Sequence, residues 1–201
     1  MKPVKLKKEQ SFHNATDESS LQRVLGVLFQ YPDKQFSLTD LAKNAKVAKA
    51  NISKIIKKLE EMQFIEIEKL ANIWRIKAIR TNQNFIKLKI IRNLSLIYES
   101  NLTEFLNKSL KHPKAIVLFG SFRKGEDITS SDIDIAIETT ENPLGTFYLN
   151  EMVKEKESQK IENFLNRKVQ LHLFNRKNVN INVFNNIANG IVLSGFLEVK
   201  P

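Results

Sequence analysis

The segment AIVLFGSFRKGEDITSSDIDIAIET, residues 115–139, constrains the fold more than any other part of the chain. AIVLF has the unbroken apolar character of a buried strand, GS makes a tight turn at its end, and DIDIAIE alternates as a second strand. Alternation puts Asp132 and Asp134 on one face of that strand. Two carboxylates side by side in an apolar strand repel each other and are costly to bury without a partner. A divalent cation between them removes the conflict, and Mg²⁺, which prefers oxygen ligands, keeps positions open for a bound phosphate. Gly120 lets the backbone come close to that phosphate, and Ser121 offers it a hydroxyl and an amide. The segment therefore predicts a site for a Mg²⁺-bound nucleoside triphosphate, with Asp132 and Asp134 as the metal ligands.

The rest of the chain sets the context of this segment. With 201 residues, 42% of them hydrophobic, the chain can form two modest domains, each with a core. It has no cysteine, which excludes disulfides, thiolate metal sites and thiol catalysis. The N-terminal MKPVKLKKEQSFHNATDESS is basic and then polar, without the apolar stretch of a signal peptide. No later segment approaches the ~20 apolar residues of a membrane span. These features predict a cytoplasmic protein with no membrane partner and a flexible stretch over residues 1–17. The net charge of +10 is uneven: residues 1–80 hold 16 Lys and Arg against 9 Asp and Glu, whereas residues 81–201 hold 16 against 13. A basic N-terminal half points to a phosphate-rich partner such as DNA or RNA.

The pattern in that half agrees. SSLQRVLGVLFQYP spaces Leu21, Val24, Leu25 and Leu28 as a helix, with Ser19 or Ser20 as its cap and Pro32 beyond its end. SLTDLAKNAKV starts a short second helix, with Ser37 as N-cap and Asp40 in the capping-box position. In AKANISKIIKKLEEMQF, Ile52, Ile55, Ile56, Leu59 and Met62 form an apolar stripe opposite Lys49, Ser53, Lys54 and Lys57. IEIEKLANIWRIKA alternates on both sides of LAN, as a two-stranded hairpin does, with Trp74 expected in its core.

Three helices followed by a hairpin resemble a winged helix-turn-helix domain of the MarR-like kind over residues 18–80. The resemblance implies a recognition helix in which Lys49, Asn51, Ser53 and Lys54 face base edges of duplex DNA while Lys57 and Lys58 meet phosphates, with Lys69 and Arg75 flanking the wing. Such regulators read two-fold sites, which implies a homodimer. The same pattern also allows a solvated lysine face on a protein-binding module. Residues 81–100 predict a connecting helix through Phe85, Leu88, Ile91, Leu94, Leu96 and Ile97. It breaks near Ser100, and Asn101 and Glu104 cap the next helix.

Gly120 and Ser121, ten intervening residues, then Asp132-Ile133-Asp134 resemble the GS-x10-DxD signature of minimal nucleotidyltransferases of the DNA polymerase beta superfamily. Arg123, Gly125 and SDIDIAI agree with it. The resemblance implies an α+β chain: an N-terminal winged helix-turn-helix and, over residues 101–201, a nucleotidyltransferase-fold mixed sheet flanked by helices. It implies Gly120, Ser121 and Arg123 on the nucleotide, Mg²⁺ on Asp132 and Asp134, and transfer of a nucleoside monophosphate to an acceptor hydroxyl. A third catalytic carboxylate belongs on a later strand, here RKVQLHLF, where Gln170 occupies its position. A neutral amide takes no proton from an acceptor. His172, on the same strand face, and Glu162, on the preceding helix, are the substitute bases the sequence offers. Two functions are compatible with this pattern: a transferase whose acceptor includes a protein such as a HEPN-type toxin, or a DNA-binding regulator whose nucleotidyltransferase-like domain senses nucleotide. An aminoglycoside-type drug transferase leaves the basic half without a use.

Overall fold

Ser19 caps α1 (Ser20–Gln30): its hydroxyl oxygen accepts from the Gln22 N–H, and the Gln22 side chain accepts from the Ser19 N–H at 2.8 Å. This computed structural model describes residues 19–70, 73–153, 155–177 and 179–199. The stretch expected to be flexible, residues 1–17, and the centre of the LAN turn lie outside the described residues. β1 (Gln35–Phe36) precedes α2 (Leu38–Asn44) and α3 (Lys49–Glu61), and β2 (Ile65–Leu70) and β3 (Ile73–Ala78) form the antiparallel wing. Ser37 caps α2, but not through the expected capping box. Its hydroxyl donates to the Asp40 carboxylate at 2.7 Å, so that carboxylate binds the side chain of the capping residue. The wing has three strands rather than two, because Gln35 and Phe36 pair with Lys77 and Ile76 along its free side. In α3 the buried stripe is Ile52, Ile56 and Leu59; Met62 falls one residue past the helix end and is exposed. Helix, strand, two helices and a hairpin in this order make the N-terminal half a winged helix-turn-helix.

Next comes α4 (Gln83–Glu99), where apolar spacing misleads. Leu88 and Ile91 are exposed, and the buried positions run Phe85, Lys89, Asn93 and Ile97, one per turn. Phe85 meets Phe29 and Phe64 edge to face at 4.8 and 5.9 Å, which joins α4 to the winged-helix core. Lys89 and Asn93 are buried because Asp127 is buried opposite them. The Lys89 ammonium donates to the Asp127 carboxylate at 2.6 Å and to its backbone carbonyl, and Asn93 donates to the same carboxylate at 2.9 Å and to the Phe122 carbonyl at 2.8 Å. Arg167 lies 3.6 Å from the second carboxylate oxygen. Burial pushes the Lys89 pKa down, against the pull of Asp127. The helix does break at Ser100, but Asn101 does not cap the helix after the break: it is left-handed at φ 56° and makes no side-chain cap bond. The Ser100 hydroxyl accepts from the Leu102 N–H at 3.3 Å and donates to the Ile97 carbonyl at 2.8 Å.

Beyond α5 (Leu102–Ser109) the chain builds one sheet from β4 (Ala115–Phe119), β5 (Ile133–Glu138), β6 (Gly145–Tyr148), β7 (Val169–Phe174) and β8 (Ile191–Gly195). Between them run α6 (Gly120–Lys124), α7 (Leu149–Met152), α8 (Glu155–Leu165) and α9 (Ile181–Ala188). The strand order is β6-β7-β5-β4-β8, with β5 and β7 parallel and the other pairs antiparallel, so the sheet is mixed. One face packs Ile116, Leu118, Ile133, Ile135, Val169 and Leu171 against α4, α5 and α8. The other packs Ala115, Val117, Ala136 and Phe174, with Phe119 partly buried beside them, beneath α9 and Leu197. That second face also carries Asp132, Asp134, Gln170 and His172, all partly exposed.

The two halves touch at the loops that enter β5 and β7. The Thr129 N–H donates to the Asp33 carboxylate at 2.9 Å, Arg167 donates to the Gln30 carbonyl at 2.6 Å, and Asn166 donates to the Tyr31 hydroxyl at 3.2 Å. Burial alone would raise the Asp33 pKa, but the bonds from Thr129 and the charge of Arg80 bring it below the ordinary value. Asp127→Ala, which strands Lys89 and Arg167 in the interior, is expected to destabilise the chain by about 3–5 kcal/mol in urea unfolding followed by circular dichroism.

Candidate active site and nucleic-acid face

The pleat of β5 sends Ile133 and Ile135 into the packed core and leaves Asp132 and Asp134 on the thinly covered face. Gly120 follows β4 directly with φ +72°, and a Cβ there would lie 2.2 Å from Asp134 Oδ2. Only glycine allows the turn to rest against that carboxylate. Ser121 and Arg123 follow on α6, both partly buried. The Tyr148 hydroxyl stands 3.5 Å from Asp132 Oδ2.

The parallel register of β5 and β7 sets Asp134 opposite Gln170 and Ala136 opposite His172. From the other side, β6 sets Tyr148 beside Gln170 and Thr146 beside His172. Gln170 thus stands between Asp134 and Tyr148. The His172 imidazole is engaged at both nitrogens: Nε2 faces Asp134 Oδ1 at 3.2 Å and Nδ1 faces Thr146 Oγ1 at 3.1 Å, with the Phe119 ring edge-on at 5.0 Å. This holds it against a candidate metal ligand. Glu162 is buried, accepting from the Val169 N–H at 3.0 Å and from Lys168 Nζ at 2.9 Å, so it clamps the start of β7 and is not placed as a base.

Three neighbours escape a reading of the sequence. Lys168 lies two residues before Gln170, on the same side of the strand, and Glu162 above all, then Tyr148 and Asp132, raise its pKa. Strand parity alone would have found it. Tyr148 and Thr146 become neighbours only through the β6 pairing, for which the sequence carries no signal.

On the winged helix, Lys49, Asn51, Ser53, Lys54, Lys57 and Lys58 are all exposed on α3, away from Ile52, Ile56 and Leu59. The wing is less basic than its composition suggests. Arg75 pairs with Glu68 at 3.6 Å, Lys77 pairs with Glu66 at 3.1 Å, and Lys69 sits 4.8 Å above the Trp74 ring, which packs on the domain core as expected.

Among the described residues, no group of three or more His, Asp and Glu side chains is placed to hold a metal ion. Two carboxylates, with a glycine that keeps the space beside Asp134 clear, nevertheless fit a hard divalent cation whose remaining ligands come from phosphate and water. No described helix is long and apolar enough to cross a membrane.

Comparison with known proteins places this geometry in a class. Residues 100–195, slightly less than half of the chain, match the family described as polymerase beta, nucleotidyltransferase, so the C-terminal half carries a domain of that type. Among solved structures, the chain is similar to S. aureus MepR in its DNA complex, at 20% identity and TM-score 0.34, covering 51% of this chain and 82% of that one. Lactococcus lactis ZitR, as a mutant, is similar at 16% identity and TM-score 0.32, over 53% of this chain and 68% of that one. Superpositions at these scores do not define a shared fold, and the winged-helix assignment stands on the topology of α1 to β3. No curated protein matches.

The glycines give a paired test. Gly120→Ala meets both a left-handed backbone and the Asp134 carboxylate, whereas a Cβ at Gly26, within α1, meets nothing within 4 Å. The first is expected to cost about 1–3 kcal/mol and the second to stabilise by about 0.5–1 kcal/mol, both read from thermal denaturation.

Proposed function

We propose that the chain transfers a nucleoside monophosphate from a Mg²⁺-bound nucleoside triphosphate to an acceptor, in the cytoplasm, while its winged helix holds duplex DNA. The observation that carries this is the contact of Gly120 with Asp134, beside Asp132, in a segment that matches a nucleotidyltransferase family. In this reading the turn at Gly120 and Ser121, with Arg123 behind it, takes the triphosphate, and Asp132 and Asp134 hold Mg²⁺. The bound cation supplies positive charge for the phosphate oxygens. The acceptor oxygen attacks the α-phosphorus, and the bond to the β-phosphate breaks with release of pyrophosphate. A HEPN-type toxin is one protein acceptor compatible with such a domain.

A second reading has an observation in its favour. Gln170 beside Asp134 cannot remove a proton from a hydroxyl, and a chain without that step serves as a DNA-binding regulator that senses nucleotide. Loss of a positioned base costs about 10²–10⁴-fold in rate with binding retained. Both readings require nucleotide binding. Isothermal calorimetry with Mg-ATP and the other triphosphates is therefore expected to show binding that Asp132→Asn and Asp134→Asn each weaken by about tenfold or more. Wild-type affinity in both variants would sink both readings.

Duplex binding is proposed through α3, as a homodimer on a two-fold site. In mobility-shift titrations, affinity is expected to fall steeply with salt, and Lys54→Ala and Lys57→Ala each to reduce the log–log salt slope by about one. Because Arg75 is already paired with Glu68, Arg75→Ala is expected to change the slope less than either lysine variant. An unchanged slope in both lysine variants would move the nucleic-acid face away from α3.

A further inference from the structure

Building on the transferase reading, we infer that the acceptor is a phosphate monoester, whose attacking oxygen is already ionised, rather than an alcohol. Three features of the acceptor side converge on it. Gln170 stands in register with Asp134, in the position where a hydroxyl acceptor would need a base. Lys168 lies two residues earlier, just before β7, anchored by Glu162 at 2.9 Å, and lines the same hollow as Asp132. Beside Asp132 there is a hollow of about 430 Å³ lined by Thr129, Ser130, Ser131, Asn163, Asn166 and Lys168. Hydroxyl, amide and ammonium groups converge there beside two carboxylates: Asp132, read here as a metal ligand, and Glu162, which is spent on Lys168 and the Val169 N–H.

This set is poor for activating an alcohol and suited to an anion. An alcohol keeps its proton until it attacks and needs a base to take it. A phosphate monoester has its second pKa near about 6 and is mostly dianionic at neutral pH, so no proton has to leave. A third carboxylate at position 170 would repel such an acceptor. A neutral amide at position 170 does not repel it, and the Lys168 ammonium, although paired with Glu162, keeps further N–H donors for it. In the step itself, an acceptor phosphate oxygen attacks the α-phosphorus of the nucleoside triphosphate. A new P–O–P bond forms, the α–β anhydride bond breaks, and its electron pair leaves with pyrophosphate. One anhydride is made for one broken, so the step is close to balanced and runs in both directions. On this account Gln170 marks a change of acceptor, not a loss of catalysis.

The test uses the full chain with Mg²⁺ and each labelled nucleoside triphosphate, and offers acceptors in matched pairs: glycerol 3-phosphate against glycerol, and a DNA duplex with 5′-phosphates against the same duplex with 5′-hydroxyls. Labelled product and pyrophosphate are expected with the phosphorylated member of at least one pair and not with its hydroxyl partner. Product from glycerol 3-phosphate points to a small-molecule source, and product from the duplex points to a DNA end. Adding pyrophosphate to isolated product should regenerate the triphosphate. Lys168→Gln, which removes the charge but keeps a donor, is expected to raise the KM for the phosphorylated acceptor about tenfold or more, with Mg-nucleotide affinity unchanged. Gln170→Glu should also raise the KM for the phosphorylated acceptor, by repulsion. Nucleotide binding together with transfer to a hydroxyl member, or to no member of either pair, overturns the inference and leaves the nucleotide site standing. Failure to bind Mg-nucleotide overturns the transferase reading beneath it.

Discussion

The buried carboxylate of Asp127 is the constraint on which the rest of the chain depends. It lies in the segment between the two halves of the nucleotide motif, 2% exposed, and draws donors from elements far apart in sequence: Lys89 and Asn93 on α4, and Arg167 at the entry to β7. Desolvating an ion pair costs nearly as much as the pair returns, so such a cluster adds little net stability, but no member can be removed without leaving an uncompensated charge inside. Its effect is on geometry. Asp127 fixes where the segment runs, and five residues later that segment delivers Asp132. Arg167 fixes the start of β7, and three residues later that strand delivers Gln170.

The same loops carry the contacts between the halves. Thr129 is held by Asp33, and Asn166 and Arg167 by Tyr31 and Gln30, so the turn after α1 rests on both chain segments that lead into the site. Phe85, packed on Phe29 and Phe64, fixes α4 to the winged helix one turn before Lys89 reaches Asp127. The site is therefore not borne by the sheet alone.

How much of this the amino-acid sequence discloses depends on the range of the interaction. The glycine turn, the paired aspartates and the wing are patterns within a dozen or so residues, and alternation or helical spacing reads them directly. Helix α4 defeats that method. Periodicity ranks Leu88 and Ile91 above Lys89 and Asn93, yet Asp127, 38 residues away from Lys89, turns the helix so that the polar pair faces inward. Asn101 looks like a cap by residue type, but the Ser100 hydroxyl reaches the Leu102 N–H first. In the site, Asp132, Asp134 and Gly120 are legible because one strand and one turn position them. Gln170 can be placed from a strand pattern, whereas the roles of Glu162, His172 and Tyr148 require the register of three strands. Glu162 shows the difference most plainly: a carboxylate near the site by sequence, it is a clamp in the structure.

The division of the sheet into a packed face and a chemical face has a consequence for how this half of the chain tolerates change. Along β5 the odd positions 133, 135 and 137 belong to the core, as do 169, 171 and 173 along β7. Of the even positions, 132, 134, 170 and 172 carry the charged and polar groups, while Ala136 and Phe174 pack beneath α9. The two sets are interleaved on opposite faces, so an odd position can drift among Ile, Val and Leu without reaching the chemistry, and positions 132, 134, 170 and 172 can exchange Asp, Gln or Lys without emptying the core. What the design does not tolerate is a change of phase. A single inserted residue within either strand would exchange the two sets at once, burying the aspartates and exposing the isoleucines, whereas an insertion in the exposed turn between β5 and β6 would leave every residue of both strands on its present side.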